Sequence, residues 1–211
     1  MTTTLYLIRH GETDANVEGV WQGSTDSPLN ERGLAQARAL ARRLAQEQLP
    51  ISVIYSSPLR RARQTAEIIA ETLDDIPIIF DPGLAEYHLG DWEGLTYEQL
   101  QKEKRLWDRI AEDSDFSPPQ GESPRQFAMR LLNSFQTIVQ DNQGKTVAVV
   151  GHGGALATAL SLILDQDGSA WRRYQKLNAS LSKLVYNPAP RLVFLSDISH
   201  LEEIGNLGEW Q

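Results

Sequence analysis

Short apolar runs rich in β-branched residues alternate along this chain with longer stretches of helical periodicity, and that alternation leaves few architectures open. It predicts an α/β layer fold with a mainly parallel, mixed sheet of about six strands. The candidate strands are Leu5–Arg9, Ile51–Ser56, Ile76–Phe80, Thr146–Gly151, Leu181–Tyr186 and Leu192–Leu195. Between the first two, Leu34, Ala37, Ala41, Leu44 and Ala45 recur at helical spacing, with Arg38, Arg42 and Gln46 on the opposite side. One face of that helix must pack on the sheet. The run after Ser57 reads as a second helix, with Ser57 as N-cap and Pro58 in the first helical position, where a missing N–H costs nothing. A third opens at Gly153 and runs through ALATALSLIL.

The segment from about 94 to 143 breaks this pattern. Helical patterns over Tyr97–Arg109 and Pro124–Val139 flank a polar SDFSPPQGES loop, and we read the segment as a helical insertion over one end of the sheet. With 211 residues, 41% of them hydrophobic, the chain suits one domain over 1–211 that carries this insertion.

Composition narrows the partners. A formal net charge of -8 argues against nucleic acid, whose binders neutralise many phosphates with a basic surface. The absence of cysteine excludes thiol nucleophiles and disulfides and fits the cytoplasm. The opening MTTTLYLIRHGET lacks the basic start and apolar run of a secretory signal, and no stretch is long enough to span a bilayer, so no membrane partner is expected.

The chemistry-bearing residues fall at strand ends. The first strand stops at Arg9, His10 and Gly11, presenting a cation and an imidazole where open α/β sheets bind ligands, with Asn16 close behind as an amide donor. Arg60, Arg61 and Arg63 crowd the start of the second helix, where the dipole disfavours cations, so an anion is expected there. Of the three, Arg61 is chosen to face it, with Arg60 and Arg63 left on the helix surface. The strand TVAVVG then ends at His152, Gly153 and Gly154 and opens directly into a helix, whose N–H groups suit an anion. Glu86 follows the strand PIIFD and supplies a carboxylate. Phosphoryl transfer is mainly positioning and charge stabilisation, and a site without metal must draw positive charge from side chains such as Arg9, Arg61 and His152. His10 is then the nucleophile, and Glu86 the acid that protonates the leaving alkoxide.

These segments resemble the histidine phosphatase superfamily, the branch named after cofactor-dependent phosphoglycerate mutase. The matching runs are RHGETDAN at 9–16, WQG at 21–23, SSPLRRARQTA at 56–66, LAEYHLGDWEG at 84–94 and GHGGALA at 151–157. The resemblance implies His10 as the phosphorylated residue and Glu86 as proton donor. It also implies Arg9, Asn16, Gln22, Arg61 and His152 as phosphate contacts, with Gly23 and Gly153 lining the same site. A three-layer α/β/α sandwich with the insertion as lid, no metal or cofactor, and a homodimer follow from it as well. Unlike a mutase lid, residues 111–123 read AEDSDFSPPQGES and are acidic and polar, which favours a phosphatase of a small monoester over a mutase. Phosphoserine is the first choice of substrate, with sugar phosphates and α-ribazole phosphate as alternatives, and His88 is the candidate contact for a substrate carboxylate.

Competing motifs are weaker. LILDQDGSAW at 162–171 resembles the aspartate motif of magnesium-dependent haloacid-dehalogenase phosphatases, but ALATALSLIL before it is helical, whereas that motif should follow a strand. Gly144-Lys145-Thr146 precedes a strand and has Val139 where a P-loop needs glycine. A binding module that kept the fold and lost the chemistry would usually lack one of His10, Arg61, Glu86 and His152. Trp21 and Trp92, beside motif residues, are the aromatic candidates for a pocket wall, and the tail 199–211 is amphiphilic enough to cover the site or join two copies.

Overall fold

Strand β1 (Thr3–Arg9) is buried along almost its whole length, as a central strand covered on both faces must be. The computed structural model describes residues 1–204, so the last seven residues of the candidate tail lie outside it. After β1 come α1 (Asp14–Val17), α2 (Glu31–Gln46), β2 (Ile51–Ser56), α3 (Arg60–Thr72) and β3 (Ile78–Phe80). Next are α4 (Leu106–Glu112), α5 (Pro124–Asp141), β4 (Thr146–Gly151), α6 (Gly153–Asp165), β5 (Leu181–Tyr186) and β6 (Pro190–Asp197). The sheet order is β3-β2-β4-β1-β5-β6. The first four run parallel, and β5 and β6 close the other edge as an antiparallel hairpin.

Alternation along the strands sends side chains to two helical layers. Leu5, Leu7, Val147 and Val149 pack with Phe135 and Ile138 of α5 and Leu156 and Leu160 of α6. On the opposite face, Tyr6, Ile8, Ala148 and Val150 meet Leu40 and Leu44 of α2 and Ala66 and Ile69 of α3. The result is a three-layer α/β/α sandwich. At about 25 cal/mol per Å² of apolar surface, each fully buried leucine or isoleucine here contributes roughly 2–3 kcal/mol.

Two expectations change. Ser57 does not cap α3: the N-cap is Leu59, without a side-chain bond, and Asp26 accepts from the Arg60 N–H instead. Ser57 Oγ accepts from Leu59 N, ahead of the helix, at 3.3 Å and from His152 Nε2 at 2.8 Å, the second a long-range partner that local spacing cannot reveal. The insertion is also smaller than read. Helix α5, capped by Ser123 and Gln126 in a capping box, belongs to a sandwich layer. Ahead of it, the first helical pattern breaks into a π-helical turn (Gln99–Glu103) and α4, separated by Arg105 in a left-handed conformation (φ 51°). These pieces form a satellite cluster through Leu89, Trp92, Leu100, Leu106, Phe127 and Leu131. Among the described residues no helix is long and apolar enough to cross a membrane.

Candidate active site

β1 and β4 are parallel neighbours in a register that pairs Arg9 with Gly151, so both strands end at one level. One residue further on, His10 and His152 stand side by side, with ring centroids 5.1 Å apart and planes inclined by 60°. β2, on the other side of β4, aligns Ser56 with Val150 and delivers Ser57 and the start of α3 to the same edge. Glu86 arrives on the loop after β3. Its two carboxylate oxygens accept from Tyr87 N and Gly154 N, each at 2.9 Å, which ties it to the first turn of α6. A side chain at Gly154 would place its Cβ 2.6 Å from Glu86 Oε1, so glycine is required for this approach.

The two imidazoles are held differently. His10 Nδ1 lies 2.7 Å from the Gly11 carbonyl, to which it must donate, leaving Nε2 with its lone pair. His152 Nδ1 accepts from Arg61 Nε at 3.2 Å, so its Nε2 carries the proton and donates to Ser57 Oγ. Burial holds both rings well below the usual histidine range, and the Arg61 and Arg9 charges add to the effect. Both are neutral at physiological pH.

Arg61 is almost fully buried and makes three bonds to the protein: Nε to His152, one terminal nitrogen to Thr25 O and the other to Gly23 O, the last two at 2.7 Å. Arg9 donates to Lys176 O at 2.5 Å, while its Nε is buried with no partner among the described residues. Burial draws both guanidinium groups down to about 10, opposed by Glu86, so both remain charged at neutral pH. Asn16 Oδ1 accepts from Thr13 and Asn178, which leaves its NH₂ as a donor.

A cavity of about 550 Å³ opens on this edge. Arg9, His10, Asn16, Gln22, Gly23, Arg61, Glu86 and Gly153, all singled out in the sequence, line it. His152 lies just behind, fully buried against His10 and Arg61. His88 is the exception, and its assignment as a carboxylate contact is corrected. It lies outside the lining, half exposed, with Nε2 3.8 Å from Glu93, while Glu93 is held by Ser24 and Thr25. Arg60 and Arg63 are exposed, as expected. Trp21 lines the cavity; Trp92 is packed instead in the satellite cluster.

Sequence reasoning missed the wall formed by Trp171, Arg172, Gln175, Lys176, Leu177 and Asn178, between α6 and β5. Asn178 Nδ2 bonds the carbonyls of His10 and Gly11 and fastens this wall to the loop that carries His10. A polar Gln-Lys-Leu-Asn run directly before a buried strand was the available signal. Among the described residues, no three histidines or carboxylates come together as a metal site.

The fold and this edge define an enzyme of phosphoryl transfer with histidine at its centre, and comparison with known proteins agrees. The family model of the histidine phosphatase superfamily (branch 1) matches residues 5–197, and the chain belongs to that superfamily as a phosphatase. It is 38% identical over 209 residues to the metal-independent phosphoserine phosphatase of Arabidopsis thaliana, covering 97% of this chain and 86% of the relative. It is 36% identical over 206 residues to the probable phosphoglycerate mutase GpmB of Escherichia fergusonii, covering 94% of each. Among solved structures, a phosphoserine phosphatase variant from Entamoeba histolytica in complex with phosphoserine superposes with a TM-score of 0.82. That match has 29% identity and covers 94% of this chain and 99% of the other.

Proposed function

We propose that this phosphatase hydrolyses a small phosphate monoester, phosphoserine in the first instance, through a phosphohistidine on His10. The observation that carries the reading is the hydrogen bond from His10 Nδ1 to the Gly11 carbonyl, which leaves a neutral, unprotonated Nε2 in a cavity lined by Arg9 and Arg61. The Nε2 lone pair attacks phosphorus as the ester P–O bond breaks, and Glu86 gives its proton to the leaving alkoxide. The positive charge gained by the ring is offset by the Gly11 carbonyl. Water then attacks phosphohistidine with Glu86 accepting its proton, the P–N bond breaks, and inorganic phosphate leaves. Arg9, Arg61, the Asn16 amide and the start of α6 hold the phosphoryl oxygens, with Gln22, Gly23 and Gly153 completing the surface.

Release to water, rather than return to a second hydroxyl, is supported by the insertion. From 94–143 only Tyr97 lines the cavity, and no basic residue of that segment does. The relative named a phosphoserine phosphatase supports the choice of substrate. Action in the cytoplasm as a homodimer belongs to the same reading, carried by the cysteine-free composition and family membership.

The test is turnover of phosphoserine in excess chelator by the purified protein and by His10→Ala. Undiminished activity in the first and none in the second is expected. Conversion of 3-phosphoglycerate to 2-phosphoglycerate would overturn the choice of phosphatase over mutase.

A further inference from the structure

Lys176 is 3% exposed, lines the cavity, and has no carboxylate partner among the described residues. Its ammonium group donates once, to Tyr174 O at 3.2 Å, which leaves two of three donors unused. The charged group that acts on it is Arg9, another cation, and burial with that repulsion lowers Lys176 to about 7. A buried cation beside a second cation is unfavourable in the free protein. It is tolerated where an anion completes the site, and the unpartnered Arg9 Nε alongside points to the same need.

We propose that Lys176 is a specificity-determining residue that binds a carboxylate on the leaving group, so that the substrates are phosphate esters of small hydroxy acids. The inference rests on the phosphatase reading, which places the phosphoryl group at His10. Charge counting favours a carboxylate. With Glu86 protonated as the acid, Arg9 and Arg61 balance a phosphate dianion, and Lys176 leaves one positive charge over. A second phosphate dianion would leave the cavity negative. His88, the earlier candidate for this role, is outside the lining. Arg172 is not an equivalent group, because it lies exposed over Trp171 and Trp107 and bonds the Tyr97 hydroxyl at 3.1 Å.

The experiment compares phosphoserine with O-phosphoethanolamine, which lacks only the carboxylate, and with fructose 1,6-bisphosphate, at pH 6.5 where Lys176 is charged. Lys176→Met should raise KM for phosphoserine about tenfold or more while kcat stays within about threefold, and should leave KM for phosphoethanolamine nearly unchanged. An equal loss on both monoesters, or a loss in kcat alone, overturns the proposal, as does a KM penalty larger on the bisphosphate than on phosphoserine. A fall in melting temperature accompanying the loss would also count against it, since removing an unpaired buried cation should not destabilise the fold. Calorimetric binding to His10→Ala, with and without the Lys176→Met change, separates the two readings. Carboxylate-selective binding lost with Lys176 upholds this proposal even where the wild type turns over nothing.

Discussion

The rings of His10 and His152 meet edge to face at 5.1 Å, but of the two only His10 has a nitrogen without a partner among the described residues. The asymmetry follows from what each strand end finds beside it. His10 turns back on its own loop carbonyl, whereas His152 is fixed between Arg61 and Ser57. In the mechanism we propose, His10 is the ring set up to attack, while His152 holds Arg61 in place.

Arg61 should not be replaceable by lysine. Its fork reaches an imidazole and two carbonyls at once, and an ammonium group can satisfy one of these directions at a time. Arg61→Lys is expected to lower kcat about 100-fold or more and to lower the melting temperature, because buried Gly23 and Thr25 carbonyls lose their donor. Steady-state kinetics and a thermal melt check both; retention of half the activity would count against the assignment.

Gly154→Ala tests the position of Glu86. The new Cβ would sit 2.6 Å from Glu86 Oε1, so the carboxylate must swing away from the α6 N–H that orients it. Loss of a positioned acid is expected to reduce kcat about 100-fold with little change in KM. The helix itself prefers alanine to glycine by about 1 kcal/mol, so stability should hold or rise. Falling activity with unchanged stability is the signature to look for; falling stability would mean that the glycine serves packing alone.

Much of this site was legible because the chemistry sits one residue beyond a strand. Apolar runs mark where β1 and β4 end, and the pairing that brings His10 and His152 together is the strand order, which the sequence does not state. Ser57 was misread because a cap is a local inference, whereas its hydroxyl also meets a partner 95 residues away. His88 was misplaced for a related reason: two residues after Glu86 the strand has ended, and no period governs which way a side chain turns. The left-handed break at Arg105 splits a helical pattern whose composition gives no warning, since arginine is a good helix former. Lys176 lies in an irregular segment, where only the fold brings it to Arg9.

Acid should destabilise the protein through the two site histidines before its carboxylates titrate. Both are held neutral in the folded state, well below the ordinary value near 6.5, whereas the unfolded chain takes up protons there. The unfolded state then binds more protons, so stability falls as pH drops below about 6.5, by roughly 2.7 kcal/mol per pH unit for the pair. His200, also lowered by burial, acts in the same direction. Urea denaturation between pH 7 and 5 measures the slope. His10→Asn should remove about half of it, and a flat profile in the wild type would show that the rings are not held neutral.

The opposite limb tests Lys176. Its folded value of about 7 lies below the value near 10.4 expected in an unfolded chain, so between these limits the unfolded state holds one proton more. Stability should therefore rise from pH 7 towards 9, at up to about 1.4 kcal/mol per unit, the reverse of the common weakening in alkali. Arg9 and Arg61, drawn down only to about 10, add to the rise above that window, while Tyr87, raised by burial, works against it there. Lys176→Met should flatten the rise and make the protein more stable at pH 7, where the wild type still carries a partly charged, unpaired ammonium group. Denaturation of both proteins at pH 7, 8 and 9 decides the matter: parallel profiles would mean that Lys176 keeps its charge in the folded state and has a counter-ion or water to hold it.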